Sequence, residues 1–405
     1  MNSILNNLHK IAIFLFLFSA GYGVLLRYNF AFPLNIKYQN FLQGHSHVAF
    51  LGWGYIACIY AILKLFITKE DKYNRNYKTT IGIILFSIIL MLFSFVDSGY
   101  KTFSIVLLSI FGLTSYVLSF KLLKDLKSKS IAVKFIKWGI YYYLLSSLAT
   151  WFLAGVIITQ GKTDLYYNTV YFYLHFLYNG FFVFVLFGLF FRILENKGIL
   201  LNKKYVNQFF FFLNIACVPT YTLSILWSDV SIGWNLFGGL GATFQIVSLF
   251  FLIKILNSAF KKLVENSLVK AMLYFILGCY VLKIVIQLAS SHPYFVEKSI
   301  ALKPFFIIGY LHLFTLGFMS TFIFYILKEL GELEIRKSTF KLGILLFLVG
   351  VLLTELILFG NGFSLLLSIG IMPNYQTTLL LFSAIILIGV FLLMVNSLLI
   401  SKSNN

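Results

Sequence analysis

Four of the six histidines in this sequence lie early in long apolar segments, where an imidazole could bind a metal ion or haem. They are His45 and His47 in one segment, His175 in a second and His312 in a third. Imidazole is a common ligand of transition metals and of haem iron. Because a polar side chain inside a membrane is costly without a partner, we expect these histidines to share a haem or metal site, or to hydrogen-bond between helices.

The spacing of these histidines limits which of them can share one iron. His45 and His47 are two residues apart, so they point about 200° apart around a helix and cannot both face the same ion. His47 is followed five residues later by Gly52, and His312 by Gly317. A glycine one turn beyond a ligand lets a flat macrocycle lie close to the backbone, and this repeated spacing favours His47.

The remaining polar residues give weaker signals. His9 lies in the N-terminal segment and has no assigned role, and His292 is expected in a solvated loop. Arg27 either pairs with a haem propionate or marks the end of the first apolar segment. Lys283 and Glu355, within predicted spans, either belong to a proton path, or form an ion pair or extend to the membrane interface.

The composition requires a membrane environment for these segments. Hydrophobic residues make up 60% of the chain and charged residues 11%, against about a quarter charged in soluble domains. The net charge of +19 does not indicate nucleic-acid binding, because Lys and Arg fall in short loops between apolar segments. The three cysteines form no CxxC or CxxCH motif, which argues against a disulfide framework, a thiolate zinc site and covalent haem; they are Cys58, Cys217 and Cys279.

The apolar segments predict an all-α, polytopic membrane bundle of about twelve transmembrane helices in one domain, residues 1–405. A spanning helix needs about 20 mostly apolar residues. The first segment lacks a clear cleavage site and is expected to stay as a helix. The predicted spans lie near 11–27, 40–66, 79–97, 102–121, 137–159, 168–193, 206–227, 231–256, 267–289, 304–327, 340–360 and 375–400.

The distribution of basic residues predicts the orientation of these spans. With the N-terminus in the cytoplasm, the outer loops hold only Arg27, Lys37, Lys101, Lys162, Lys298 and Lys303, and nearly all other Lys and Arg residues lie inside. This bias predicts a multi-pass protein of the inner (cytoplasmic) membrane with both termini in the cytoplasm. The four histidines then lie in the outer half of the bilayer.

With these features in place, the chain resembles subunit I of the haem-copper oxidases and nitric oxide reductases. That family has twelve helices with haem ligands on the second and tenth. Arg27 ends the first span, and the stretch from Tyr38 to His45 opens the second, as in the family's low-spin haem region. His312 with its following glycine resembles the haem-ligand stretch, and His175 falls on the sixth span, where the family has a copper ligand.

Two departures from the family limit what the resemblance implies. The seventh span lacks the paired copper-binding histidines, and Tyr310 stands where the high-spin haem ligand would be. What remains is a low-spin haem b between His45 or His47 and His312. The resemblance also implies copper held by His175, with His47 or His312, in an incomplete ligand set. The His-x-His motif also resembles the NnrS family of haem-copper membrane proteins, which is linked to nitric oxide tolerance.

The resemblance therefore implies a haem b protein of the membrane that transfers electrons or handles nitric oxide or oxygen, without a complete binuclear centre. As an enzyme it would be a respiratory-type oxidoreductase. Its expected partners are the lipid bilayer, haem and an electron donor or partner subunit. The alternatives are a twelve-helix transporter whose histidines bind a metal or protons, and a scaffold without a cofactor.

Overall fold

The structure is a computed structural model that describes residues 3–68, 70–71, 76–228 and 230–403. Most of these residues lie in helices, and none of them lies in a strand. This confirms the all-α membrane bundle. The long helices are α1 (Leu8–Ala31), α2 (Tyr38–Phe66), α3 (Tyr77–Ser98), α4 (Thr102–Asp125), α5 (Ile131–Thr159), α6 (Asp164–Asn196), α7 (Lys203–Cys217), α8 (Ile232–Leu263), α9 (Ser267–Ala289), α10 (Lys303–Glu329), α11 (Ser338–Leu366) and α12 (Tyr375–Ser403).

Among the described residues, eleven helices are long and apolar enough to cross a membrane, and α7 is the exception. At about 1.5 Å per residue, its 15 residues fall short of a hydrocarbon layer about 30 Å thick. The chain continues as a 3-10 turn, Pro219–Ser224. Because Pro219 has no N–H and its ring clashes with the preceding turn, the predicted span 206–227 is a half-helix followed by a turn.

Polar caps define where several helices begin. Ser130, Asn202 and Asn266 precede α5, α7 and α9, and the side-chain oxygen of each accepts hydrogen bonds from N–H groups of the first turn. Such a cap stabilises a helix by about 1 kcal/mol. These three starts follow directly from local sequence.

The described chain divides into two compact units. Unit 1 comprises Met1–Leu126 with Ser320–Asn405, and unit 2 comprises Lys127–Met319. The prediction of a single membrane domain stays a prediction. In unit 1, the Trp53 ring stacks on Phe16 at 4.7 Å, and its Nε1 donates to Ser320 Oγ at 2.9 Å. In unit 2, Phe135 packs among rings from α6 and α7.

An ionic cluster in unit 1 ties the N-terminal helix to the rest of that unit. His9 is 2% exposed, and its Nε2 lies 3.1 Å from Glu332 Oε2. Tyr60 and Lys64 both donate to the other carboxylate oxygen of Glu332. His9, which had no role from sequence, is therefore a buried partner of a carboxylate. Asn396 fixes the same loop through hydrogen bonds to the Glu334 backbone at 2.9 and 3.3 Å.

Replacing Glu332 by Gln should lower the free energy of unfolding of the detergent-purified protein by about 1–3 kcal/mol. The reason is the loss of charge-assisted hydrogen bonds to a carboxylate side chain that is 14% exposed. The measurement is a denaturant or thermal melt. Glu334→Gln is the matched control, since its side chain is 40% exposed and pairs only with Lys337. Equal stability of the Glu332 variant and the wild type would contradict the role of this cluster.

The topology depends on whether α7 and the turn after it together cross the bilayer. We expect reporter fusions to place both termini in the cytoplasm, because the charge bias requires an even number of crossings. Fluorescent-protein and alkaline-phosphatase fusions at residue 403 and in the 197–202 connection measure this. An extracytoplasmic C-terminus would mean that the 203–224 segment re-enters rather than crosses.

Candidate functional site

His45 is oriented by the first helix of unit 1. Its Nδ1 lies 2.8 Å from the Ser19 carbonyl oxygen, and Ser19 Oγ donates to the His45 carbonyl at 3.1 Å. A ring nitrogen that close to a carbonyl must carry the proton and donate it, so the lone pair resides on Nε2. Nε2 has no hydrogen-bond partner among the described residues. A metal-binding histidine typically has this arrangement, one nitrogen donating to a carbonyl and the other available.

A glycine on α1 makes room for the His45 ring. A Cβ built on Gly23 would lie 3.2 Å from His45 Cε1, which is tighter than an ordinary van der Waals contact. Any larger side chain at this position would push the imidazole away from Ser19. The sequence of α1 therefore supplies both the carbonyl that orients the ring and the space that the ring occupies.

His47 has different surroundings from His45. Its Nε2 lies 2.9 Å from the Tyr100 hydroxyl, and its ring packs edge-on against Phe95 with centroids 4.3 Å apart. The side chain is thus directed to the C-terminal end of α3, with Nε2 in a hydrogen bond. Of the two candidates that the sequence left open, His45 has the geometry of a ligand and His47 that of an interhelical contact.

Arg27 lies in the same unit and is close enough to His45 to interact with it electrostatically. It also interacts with Tyr38, Tyr375 and Glu355. Glu355 is 7% exposed, and neither of its carboxyl oxygens has a hydrogen-bond partner among the described residues. The Arg27 guanidinium therefore lies near His45 with no described carboxylate hydrogen-bonded to it, and an acidic group bound there would find a cation.

His175, the predicted copper ligand, lies in unit 2 with both ring nitrogens in hydrogen bonds. Nε2 donates to the Cys217 carbonyl at 2.8 Å, and Nδ1 accepts from Asn179 Nδ2 at 3.2 Å. His175 is 4% exposed. No described group of three or more His, Cys, Asp or Glu side chains could hold a metal ion. His175, on α6, therefore connects α6 to the last residue of α7 by a hydrogen bond.

His312 ends the regular α-helical first part of α10 in unit 2 and is half-buried. Thr315, one turn further on, donates to the Leu311 carbonyl at 2.8 Å. From here the helix changes its hydrogen-bonding pattern.

The three histidine-bearing helices share a local feature that the sequence alone did not predict. In α2, α6 and α10 a π-helical segment begins directly after a histidine: Val48–Tyr55, Phe176–Phe182 and Leu313–Ser320. Most π-helical turns are short insertions in α-helices and are frequent at functional sites. Three of them at equivalent positions mark these helices as copies of one structural element.

A glycine five residues after the histidine belongs to the same element. This glycine is Gly52 in α2 and Gly317 in α10, and Gly180 follows His175 in α6 at the same spacing. A Cβ on each would lie close to the preceding long helix: 3.2 Å from Leu15 on α1, 2.4 Å from Tyr142 on α5 and 2.7 Å from Cys279 on α9. The shared pattern, His-x4-Gly on α2, α6 and α10, could have been found from the sequence by including the sixth span.

No known protein-family model matches this sequence, and no curated protein matches it. The site is therefore interpreted from its own geometry and from the resemblance in residues given above.

Replacing Gly180 by Ala should destabilise the protein by about 1–3 kcal/mol, because the added methyl group overpacks against Tyr142. The measurement is thermal unfolding in detergent. Gly155→Ala is the matched control, since a Cβ there meets nothing within 4 Å. A Gly180 variant as stable as the Gly155 variant would show that close approach of α6 to α5 is not required.

Proposed function

We propose that this chain is an integral membrane protein that binds haem b through His45 and uses it to transfer electrons or to handle nitric oxide or oxygen. The observation that supports this most directly is the locked imidazole of His45. Its Nδ1 proton is held by the Ser19 carbonyl at 2.8 Å, which leaves Nε2 as the ligand atom. When bound, the haem would supply a one-electron redox couple, and it would bind a diatomic gas only if His45 is its sole protein ligand.

The residues of unit 1 fit the demands of such a ligand. The hydrogen bond to Ser19 fixes the ring and makes the imidazole a more basic ligand, which favours the oxidised iron. Gly23 sets how far the ring can move towards α1. Arg27, near His45, would hold a propionate by charge and hydrogen bonds.

The second axial ligand is assigned from the sequence motif. The resemblance gives this role to His312. The resemblance further supports a respiratory-type oxidoreductase of the inner membrane with both termini in the cytoplasm, served by an electron donor or partner subunit. His175, with both nitrogens in hydrogen bonds, has no place in this proposal.

One observation favours a second candidate, a transporter. α7 is interrupted at Pro219, and interrupted helices form the ion sites of many carriers. The imidazole that such a carrier would use for protons or a metal ion is His175, which lies beside the interruption.

The test compares the two neighbouring histidines. Wild-type protein purified from cells with ample haem should show a Soret band and the reduced spectrum of a low-spin b-type haem. His45→Ala should lose that spectrum, because the ligand atom is gone, whereas His47→Ala should keep it. Gly23→Val should lower haem affinity about 10–100-fold, because it displaces the ligand from its supporting carbonyl.

Each outcome bears on a separate part of the proposal. A folded, monodisperse but colourless wild type would refute haem binding and leave the transporter. Loss of the spectrum in His47→Ala but not in His45→Ala would refute the ligand assignment while keeping the cofactor. If two histidines bind the haem, the His312→Ala variant and the His45→Ala variant should each lose the haem spectrum.

A further inference from the structure

The connection between α11 and α12 turns back along the end of α11. The helix ends at Leu366, and Ser368 then adopts a left-handed backbone conformation with a φ of 59°. The Ser368 N–H donates to the Leu365 carbonyl at 3.1 Å, and the Ile369 N–H donates to the Ser364 carbonyl at 2.9 Å. This pair of hydrogen bonds is a common way to end a helix and reverse the chain. The connection therefore runs back beside the helix.

Two side chains of α11 hold the returning connection in place. Asn361 Oδ1 accepts a hydrogen bond from the Met372 N–H at 2.8 Å, and Asn361 Nδ2 donates to the Ile357 carbonyl at 2.9 Å. Ser364 Oγ donates to the Gly370 carbonyl at 2.7 Å. Asn361 is 3% exposed, so its amide group is fixed inside the protein. These hydrogen bonds set the distance between the connection and the helix.

The space between the helix end and the connection is a groove with a volume of about 380 Å³. Its apolar walls are Leu356 and Ile357 on the helix and Ile369, Ile371, Met372 and Pro373 on the connection. Gly360 also lines the groove, and a Cβ built on it would meet nothing within 4 Å. Small-molecule sites usually have volumes of about 300–1,000 Å³ and mostly apolar linings. The groove therefore has the size and the lining of a site for an apolar ligand.

The groove is continuous with the lipid-facing surface of α11. Leu345, Val349, Leu352 and Leu356 recur every three or four residues and are between 39% and 58% exposed. Because α11 is long and apolar enough to cross a membrane, this exposed apolar face contacts hydrocarbon. Gly360 is the next position on the same face, and it leaves a gap there. The groove therefore opens onto the surface that lipid covers.

The depth of the groove places it where hydrocarbon meets the lipid headgroups. The predicted eleventh span, 340–360, ends within it. Lipid tails are as apolar as leucine, so burial in a bilayer supplies no hydrophobic driving force, and close packing has to hold a chain in place. Walls fixed by the hydrogen bonds of Asn361 and Ser364 provide many dispersion contacts to one chain, which are individually small and collectively large.

The groove has no charge that would select a headgroup. None of the described residues that line it is charged, and residues 356–401 contain no Asp, Glu, Lys or Arg. Its polar side chains are Asn361 and Ser364, and both are used to hold the connection. The hydrocarbon chain, and not the charge of the headgroup, is therefore what this site can recognise.

We propose that the groove between the end of α11 and residues 369–373 binds one acyl chain of a membrane phospholipid as a fixed ligand. The chain occupies the gap at Gly360, and the connection covers it. The phospholipid thereby joins the α11–α12 connection to the lipid-facing surface of α11. The site is formed by unit 1 alone and does not depend on haem.

The experiment is native mass spectrometry of the full chain, released from detergent micelles to which dioleoyl phosphatidylethanolamine or dioleoyl phosphatidylglycerol has been added. The wild type should retain one phospholipid, and it should retain either lipid equally well. Gly360→Leu should lower the affinity about 10-fold or more, because the new side chain fills the groove and excludes the acyl chain. The added Cβ itself meets nothing within 4 Å, so the variant should fold.

Two further variants separate the groove from general effects of substitution. Gly82→Leu, on α3 in the same unit, is the matched control: a Cβ there also meets nothing within 4 Å, and the change in helix propensity is the same. It should retain the lipid as the wild type does. Ile371→Ser removes part of one wall at a residue that is 48% exposed, and it should weaken retention about 3-fold or more.

A wild type that retains no phospholipid would overturn the proposal, and so would wild-type retention by Gly360→Leu. Equal loss in Gly82→Leu would overturn it too, since lipid would then bind only as a general layer around the protein. A strong preference for phosphatidylglycerol would show that a charged headgroup is recognised instead. Should Gly360→Leu aggregate, Ile371→Ser decides the outcome. None of these readouts uses the Soret band, so failure here and failure of haem binding are distinguishable.

Discussion

An imidazole N–H inside an apolar bundle needs a hydrogen-bond acceptor, and this constraint explains how two of the histidines are used. Both donate to carbonyls of neighbouring segments, His45 to Ser19 and His175 to Cys217. The donation fixes the tautomer in both cases. The two residues differ at the other ring nitrogen. In His175, Nδ1 accepts a hydrogen bond from Asn179; in His45, Nε2 has no hydrogen bond among the described residues. That one difference separates a residue that can bind a ligand from one that holds helices together.

The π-helical segments connect this chemistry to the packing of the helices. Widening the turn after the histidine changes which residues face the adjacent helix, and in each of α2, α6 and α10 it brings a glycine against the preceding long helix. The close approach is tightest at Gly180, where a Cβ would lie 2.4 Å from Tyr142. Only a glycine fits there, so the backbone of α6 contacts α5 directly. This contact, rather than flexible side chains, sets the position of His175 along the helix pair. The same solution in three helices indicates a repeated structural unit of one odd- and one even-numbered helix.

The sequence predicted the fold class because the length and composition of apolar segments are sufficient to identify spanning helices. It did not predict the interruption of α7, since the residues from 206 to 227 are apolar on both sides of Pro219 and a window average conceals one proline. It also missed the burial of His9, whose partner Glu332 is distant in the chain. The choice between His45 and His47 depends on which neighbouring helix each side chain meets, and spacing within one helix contains no such information.

The shortness of α7 has a consequence for how the protein is made. A helix of 15 residues gives too little apolar length to enter a bilayer as an independent segment. It packs along α8, which is long enough to span. We therefore expect the two helices to be inserted during synthesis as a hairpin, with the polar interruption shielded from lipid by its partner before the neighbouring helices close around it.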